Sequence, residues 1–310
     1  MNLLNNMVNP KYGVDEYGEC IPIDDIKSIV RKEVLEELEE QKRKSNKQKE
    51  AHKKIKSKEE FKVLIDKTLG SFFFSHFIEV LNIFNDEKGN FDGALAFRFI
   101  YLCTFIDYDN KLRWGNNFRG KHRTEMLEND LKEVLGLSRN QIAKDKQKLV
   151  DLGVLKINKD KTINIDFNYC HKGIYKHNLK GESIRVFENG IQKLYKASIP
   201  KEHKRLGLFI KLIPYLNKEN NILCLNPQEE KLIGILPLSI QDICKITGYA
   251  VNNARRLESE LLKITVGNEY LMMKHMKYYL VIYSINPRIF YSGSNLENLQ
   301  SLIDLFYMER

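Results

Sequence analysis

The chain says one thing twice, and that repeat limits its folding choices more than any other feature. Leu131-Lys132-Glu133-Val134-Leu135-Gly136-Leu137-Ser138, with Ile142 and Leu149 beyond, aligns with Ile243-Cys244-Lys245-Ile246-Thr247-Gly248-Tyr249-Ala250, with Ala254 and Leu261 beyond. Leu131 and Ile243, Gly136 and Gly248, and Leu149 and Leu261 all stand 112 positions apart. Each copy reads as a short helix, a tight turn at glycine, and a longer polar helix with an apolar seam. Glycine suits the turn because it lacks a Cβ and enters left-handed φ at little cost. A period this long means two domains rather than a solenoid.

Around the first copy, a leading helix is expected over Thr124–Leu135. Ser138 is placed to cap a second helix running to about Leu152, with Ile142, Leu149 and Leu152 as its buried seam. Gly153 ends that helix. Val154–Ile157 and Thr162–Ile165 alternate as strands around Asn158-Lys159-Asp160-Lys161. In the second copy, Ser239 caps the leading helix, Tyr249–Ile264 forms the second, and Tyr270–Met273 with Tyr278–Ile285 supply the hairpin.

The order helix, turn, helix, hairpin over Thr124–Phe167 resembles the winged-helix family. That resemblance implies a mainly α fold with small β-hairpin wings (α+β): two winged helix-turn-helix domains behind an N-terminal charged helix. It also implies binding of double-stranded DNA, with the second helix of each unit in the major groove. In the first unit Arg139, Asn140, Gln141 and Lys144 then face bases, with Lys148 beside them. Arginine pairs with guanine, and Asn or Gln with adenine. Lys159 and Lys161 at the hairpin tip, and Arg119, Lys121 and Arg123 upstream, suit phosphate contacts. In the second unit the equivalents are Val251, Asn252, Asn253 and Arg256, with Arg255 adjacent.

Charge favours the first unit. Lys111–Leu149 holds ten basic and five acidic residues, whereas Leu236–Phe290 holds seven and four. The most basic run lies elsewhere: Gln41–Lys58 carries nine Lys or Arg against the lone acid Glu50. Such a block either contacts phosphate nonspecifically or is a solvated linker. Ahead of it, Ile26, Val30, Val34 and Leu38 form one stripe of a helix ending near Gln41. This stripe packs on the body of the chain or pairs with a second copy.

The expected boundaries are 1–57 for tail, charged helix and basic linker, 58–168 for the first domain, 169–190 for a polar connection, 191–294 for the second domain, and 295–310 for a last helix. Within them, Phe61–Phe84 and Gly93–Asp107 are read as helices. So is Lys201–Asn217, opened by Pro200, with a hairpin near Asn221–Asn226. Ser294 begins a capping box for the C-terminal helix, which carries Leu299, Leu302, Ile303 and Phe306 and serves as a lid or a dimer contact.

Other chemistry is unsupported. Gly115 to His122 is one residue short of a nucleotide-binding loop, with histidine where a magnesium-holding Ser or Thr belongs. Cys170, His171 and His177 lack a second ligand pair at zinc spacing. No metal, cofactor or catalytic residue is expected, and the chain is not read as an enzyme. The five cysteines are scattered without a CxxC, no stretch is apolar enough to span a membrane, and the N-terminus does not read as a signal peptide. A reduced, cytoplasmic setting is the expectation.

Ile285-Asn286-Pro287-Arg288-Ile289-Phe290-Tyr291-Ser292-Gly293 is similar to the segment after the winged helix in replication proteins of plasmids and phages from low-GC Gram-positive bacteria. Two such units in one chain resemble the bipartite replication initiators of those elements. That resemblance implies recognition and deformation of origin repeats without bond chemistry, and recruitment of host replication proteins. A winged-helix repressor of the same element, usually a dimer with one unit per chain, is the alternative. A protein-interaction module without a DNA site is the third reading.

Overall fold

The computed structural model describes residues 12–14, 20–22, 31–32, 34–42, 65, 67–86, 89–115, 124–173, 183–277, 280–293 and 295–308. The fold is mixed α+β. Strands β1 (Tyr12–Val14) and β2 (Cys20–Pro22) pair with each other. Helix α1 covers residues 31–32 and 34–42. It docks on the second half of its own chain, where Val34 and Leu35 are buried among Ile222, Leu232, Ile235 and Ile282. Lys42 Nζ donates to Asn220 Oδ1 at 2.7 Å. Ile26 and Val30 of the expected stripe, and most of the basic run, lie outside the described residues.

The centre of the molecule is a four-stranded antiparallel sheet in the order β14-β9-β3-β8. Its strands are β3 (Phe72–Ser75), β8 (Cys170–His171), β9 (Ile184–Phe187) and β14 (Phe290–Tyr291). Two expectations give way here. Phe61–Phe84 is not one helix, because β3 interrupts it before α2 (Phe77–Phe84). The stretch 169–190 is no bare connection: it supplies β8, β9 and the start of the helix Glu188–Ala197. A single buried cluster runs from Phe73 to Phe290, so the two expected domains share one core.

The middle pair of strands reveals how far the repeat extends. Phe72 pairs with Phe187 and Ser75 with Ile184. Phe72 and Ile184 stand 112 positions apart, as do Ser75 and Phe187. The first residue of each strand therefore meets the last residue of the other, as a two-fold axis requires. Helices follow in matching order: α2 then α3 (Gly93–Cys103) in the first half, α6 (Glu188–Ala197) then α7 (His203–Leu212) in the second. Between these two pairs lie α4 (Leu131–Leu135) and α5 (Arg139–Asp151). The most extensive helix–helix contact is α3 against α7. A Cβ on Gly207 would lie 2.1 Å from the Gly93 carbonyl oxygen, so the crossing needs glycine.

Each half next turns at an asparagine with positive φ, Asn110 at 57° and Asn221 at 51°. The Asn110 amide donates to the carbonyls of Ile165 and Cys170 at 3.1 and 2.6 Å. The Asn221 amide donates to those of Ile285 and Phe290 at 3.1 and 2.7 Å. Both side chains pin the end of a hairpin to the strand that returns to the sheet. The expected hairpin at Asn221–Asn226 is instead a set of isolated bridges to Leu216, Ser284 and Pro237.

The C-terminal helix α10 (Leu296–Met308) buries Leu299 and Ile303 against Ile65, Leu69, Phe187 and Tyr291. Its first amides bond to Asn295 Oδ1, at 2.9 Å from Glu297 and 3.2 Å from Asn298. Asn295 is thus the cap, and Ser294 lies outside the described residues. Among the described residues no helix is long and apolar enough to cross a membrane.

Candidate nucleic-acid interface

In the first half α4 and α5 flank Gly136, whose φ is 60°. Ser138 caps α5, its hydroxyl accepting from the Gln141 amide at 3.3 Å. The leading element is shorter than expected: β5 (Thr124–Glu125), paired with β4 (Arg113–Trp114), and a 3-10 turn at Glu128–Asp130 come before α4 begins. Beyond α5, β6 (Leu155–Ile157) and β7 (Ile163–Ile165) form the hairpin, with Leu155 opposite Ile165.

In the second half α8 (Ile240–Thr247) carries a full capping box: Ser239 Oγ accepts from the Asp242 amide, and Asp242 Oδ2 accepts from the Ser239 amide. Gly248 has φ 74°. The next helix starts later than expected. Val251–Asn253 is a 3-10 turn, and α9 covers only Ala254–Leu262. Strands β10 (Thr265–Val266) and β11 (Glu269–Tyr270) form a small ladder, and the main hairpin is β12 (Met272–Lys277) with β13 (Leu280–Ile285).

The sequence-predicted residues divide into three groups. Arg139, Asn140 and Lys144 are exposed on α5, and among the described residues no hydrogen bond or ion pair engages their side chains. Asn252, Asn253 and Arg255 are likewise exposed, though the two asparagines sit in the 3-10 turn and not in an α-helix. Lys159 and Lys161 are exposed at the hairpin tip, Lys161 with φ 66°. A second group is already engaged. Gln141 Nε2 donates to Asp145 Oδ1 at 2.7 Å, Lys148 pairs with Asp92 at 2.7 Å, and Arg256 pairs with Glu260 at 2.9 Å. Burial opposes ionisation of Asp92, but Lys148 and the Leu95 amide outweigh it and hold that carboxyl below its ordinary range. Arg119, Lys121 and Arg123 lie outside the described residues.

Sequence reasoning missed what holds α5 in place. Asp145, on the buried side of α5, pairs with Arg98 of α3 at 2.8 Å, and both side chains are more than nine-tenths buried. Arg98 Nε donates to His203 Nδ1 of α7 at 3.1 Å. Burial, reinforced by the Arg98 charge, pushes the His203 imidazole down to about 4. Removing water strengthens such a pair and makes either partner costly to leave alone. The available signal was positional: Asp145 falls between Ile142 and Leu149 on the apolar seam. Among the described residues no group of His, Cys, Asp and Glu is placed to hold a metal ion.

The site therefore belongs to a mixed α+β protein whose two halves each present a helix, a glycine turn and a polar helix. Comparison with protein-family models, with curated proteins and with solved structures gave no match.

Proposed function

We propose that this protein binds double-stranded DNA sequence-specifically through two winged-helix units. One observation carries the reading. The first turns of α5 present Arg139, Asn140 and Lys144 outward and unengaged, while the opposite face is seated by Ile142, Asp145 and Leu149. Binding a base edge with those side chains breaks no contact among the described residues, and the rigid seat lowers the entropy lost on docking. The second half offers Asn252, Asn253 and Arg255 in the same way, with less positive charge around them. Lys159 and Lys161 supply phosphate contacts. Lys148 and Arg256 are held by partly exposed ion pairs, which cost little to exchange for a phosphate.

Two reading units in one chain favour a plasmid or phage replication initiator, acting in the cytoplasm with host replication proteins, over a repressor with one unit per subunit. The test is selection of bound duplexes from a random pool, followed by footprinting. Enrichment of one sequence is expected, protected over about two helical turns. Arg139→Ala with Lys144→Ala lowers affinity for it by about tenfold or more. A pool that returns unenriched overturns the proposal.

A further inference from the structure

We infer that a cleft at one end of the central sheet binds a small amphipathic carboxylate, an acid whose apolar body is a ring or a short alkyl chain. The cleft has a volume of about 340 Å³ and lies between β3, β9, α2 and the turn that follows α7. No residue of α5 or α9 lines it, and the inference stands apart from the DNA-binding reading.

The pleat of the sheet builds the floor. Phe73 and Ser75 of β3 turn into the core, so Phe72 and Phe74 share the other face. Phe74 lies opposite Arg185 of β9, and Arg185 lies opposite Tyr291 of β14. The apolar cluster under α10 takes in Phe72, Phe187 and Tyr291 of this face and stops short of Phe74. Phe77 and Ile78 of α2, with Ile213 and Leu216 beyond α7, wall the cleft beside Phe74.

The charge in this cleft is one-sided: Arg185 and Lys218 line it, and no carboxylate does. Arg185 is half-buried, and its Nη1 donates to Gly293 O at 2.6 Å. Among the described residues no hydrogen bond engages its Nε or Nη2, and no carboxylate stands at ion-pair distance. Burial pushes the guanidinium below its ordinary value, against the charges of Tyr291 and Glu219. Glu219 itself is turned to the Tyr291 hydroxyl and the Asn295 amide. Lys218 is exposed, and among the described residues its ammonium has no partner.

A partly desolvated guanidinium without a counterion is unfavourable, and its Nε–Nη2 edge matches the two oxygens of one carboxylate. Apolar walls with a few convergent polar groups are the usual form of a small-molecule site. A closed apolar cavity of about 150 Å³ takes benzene. The larger volume here therefore suits a ring or short chain together with its headgroup.

The test titrates the full chain with hexanoate, octanoate and phenylpropanoate, reading heat of binding and melting temperature. Octanamide and octanol serve as uncharged controls. At least one acid is expected to bind saturably and to raise the melting temperature, since it binds the folded state. The uncharged controls bind about tenfold more weakly or worse. Arg185→Met lowers affinity for the acid by about tenfold or more and closes the gap to the controls. A second variant guards against misfolding of the first. Ile78 is 55% exposed, and Ile78→Glu sets a carboxylate in the cleft without touching Arg185, so it should weaken the acid to a similar degree. No saturable binding by any of the three acids overturns the inference. So does equal binding of octanamide, or indifference to Ile78→Glu. An acidic apolar peptide that binds where all three acids fail would make the cleft a protein-docking surface and overturn it as well. None of these readouts involves DNA, so they leave the DNA-binding proposal to its own test.

Discussion

The two halves solve one packing problem in opposite ways. In the first, the position beneath the polar helix holds Asp145, buried against Arg98 and His203. In the second, the residue 112 positions on is Leu257, fully buried in the shared core. Their caps are exchanged as well. Ser138 caps α5, but Ala250 stands in its place before α9, and the chain opens there with a 3-10 turn instead. Ser239 caps α8, but Leu127 stands in its place before α4, and again a 3-10 turn precedes the helix. One backbone plan thus tolerates an ionic or an apolar seat. A helix start without a hydroxyl cap satisfies its amides by tightening the first turn.

The largest expected effect tests the seats. Asp145→Ala leaves Arg98 buried without its partner and should cost about 3–5 kcal/mol in urea unfolding. Replacing both partners, Arg98→Met with Asp145→Leu, copies the apolar seat and should recover most of that loss. A single substitution costing under about 1 kcal/mol would show that the pair is not the seat.

Acid should separate the halves next. The folded protein keeps His203 neutral down to about 4, and burial with the His76 ring beside it does the same for His171. The unfolded chain takes up both protons near 6.5, so stability is present above that pH and lost as pH falls toward 4. The loss is up to roughly 3 kcal/mol per imidazole. Amides of α5, seated on the His203 network, should lose exchange protection in that window before those of α9. Simultaneous loss would mean that the halves open as one.

The contact between halves comes third. Gly207→Ala drives a Cβ into the Gly93 backbone and should cost about 1–3 kcal/mol, read as a lowered melting temperature. An unchanged melting temperature would show that the α3–α7 crossing is not tight. Smallest are the caps. Ser138→Ala should lose about 1 kcal/mol, and Ala250→Ser should gain a similar amount or less by starting α9 earlier. No gain from Ala250→Ser would mean that the 3-10 turn is held by tertiary contacts rather than by a missing hydroxyl.

Local features were legible. The Gly136 and Gly248 turns, the Ser138 and Ser239 caps and the β6–β7 hairpin stand where residue spacing placed them. Three apolar residues in a row, Phe72-Phe73-Phe74, fit a helix or a strand equally well. Only Ile184–Phe187, far along the chain, makes them a strand. The matching asparagines were overlooked because a positive-φ elbow leaves no periodic trace. Their place just before Xaa-Leu in both halves, at Asn110 and Asn221, was a usable signal.

By itself the sequence determined the repeat, the two turns and which faces of the polar helices stay wet, because caps, glycine φ and helical spacing act within a few residues. The tertiary structure decided that the halves share one sheet, that Asp145 is a buried anchor and that Gln141 is spent holding it. Those outcomes depend on partners far apart in the chain, Phe73 with Val186 and Arg98 with His203, which no local pattern announces.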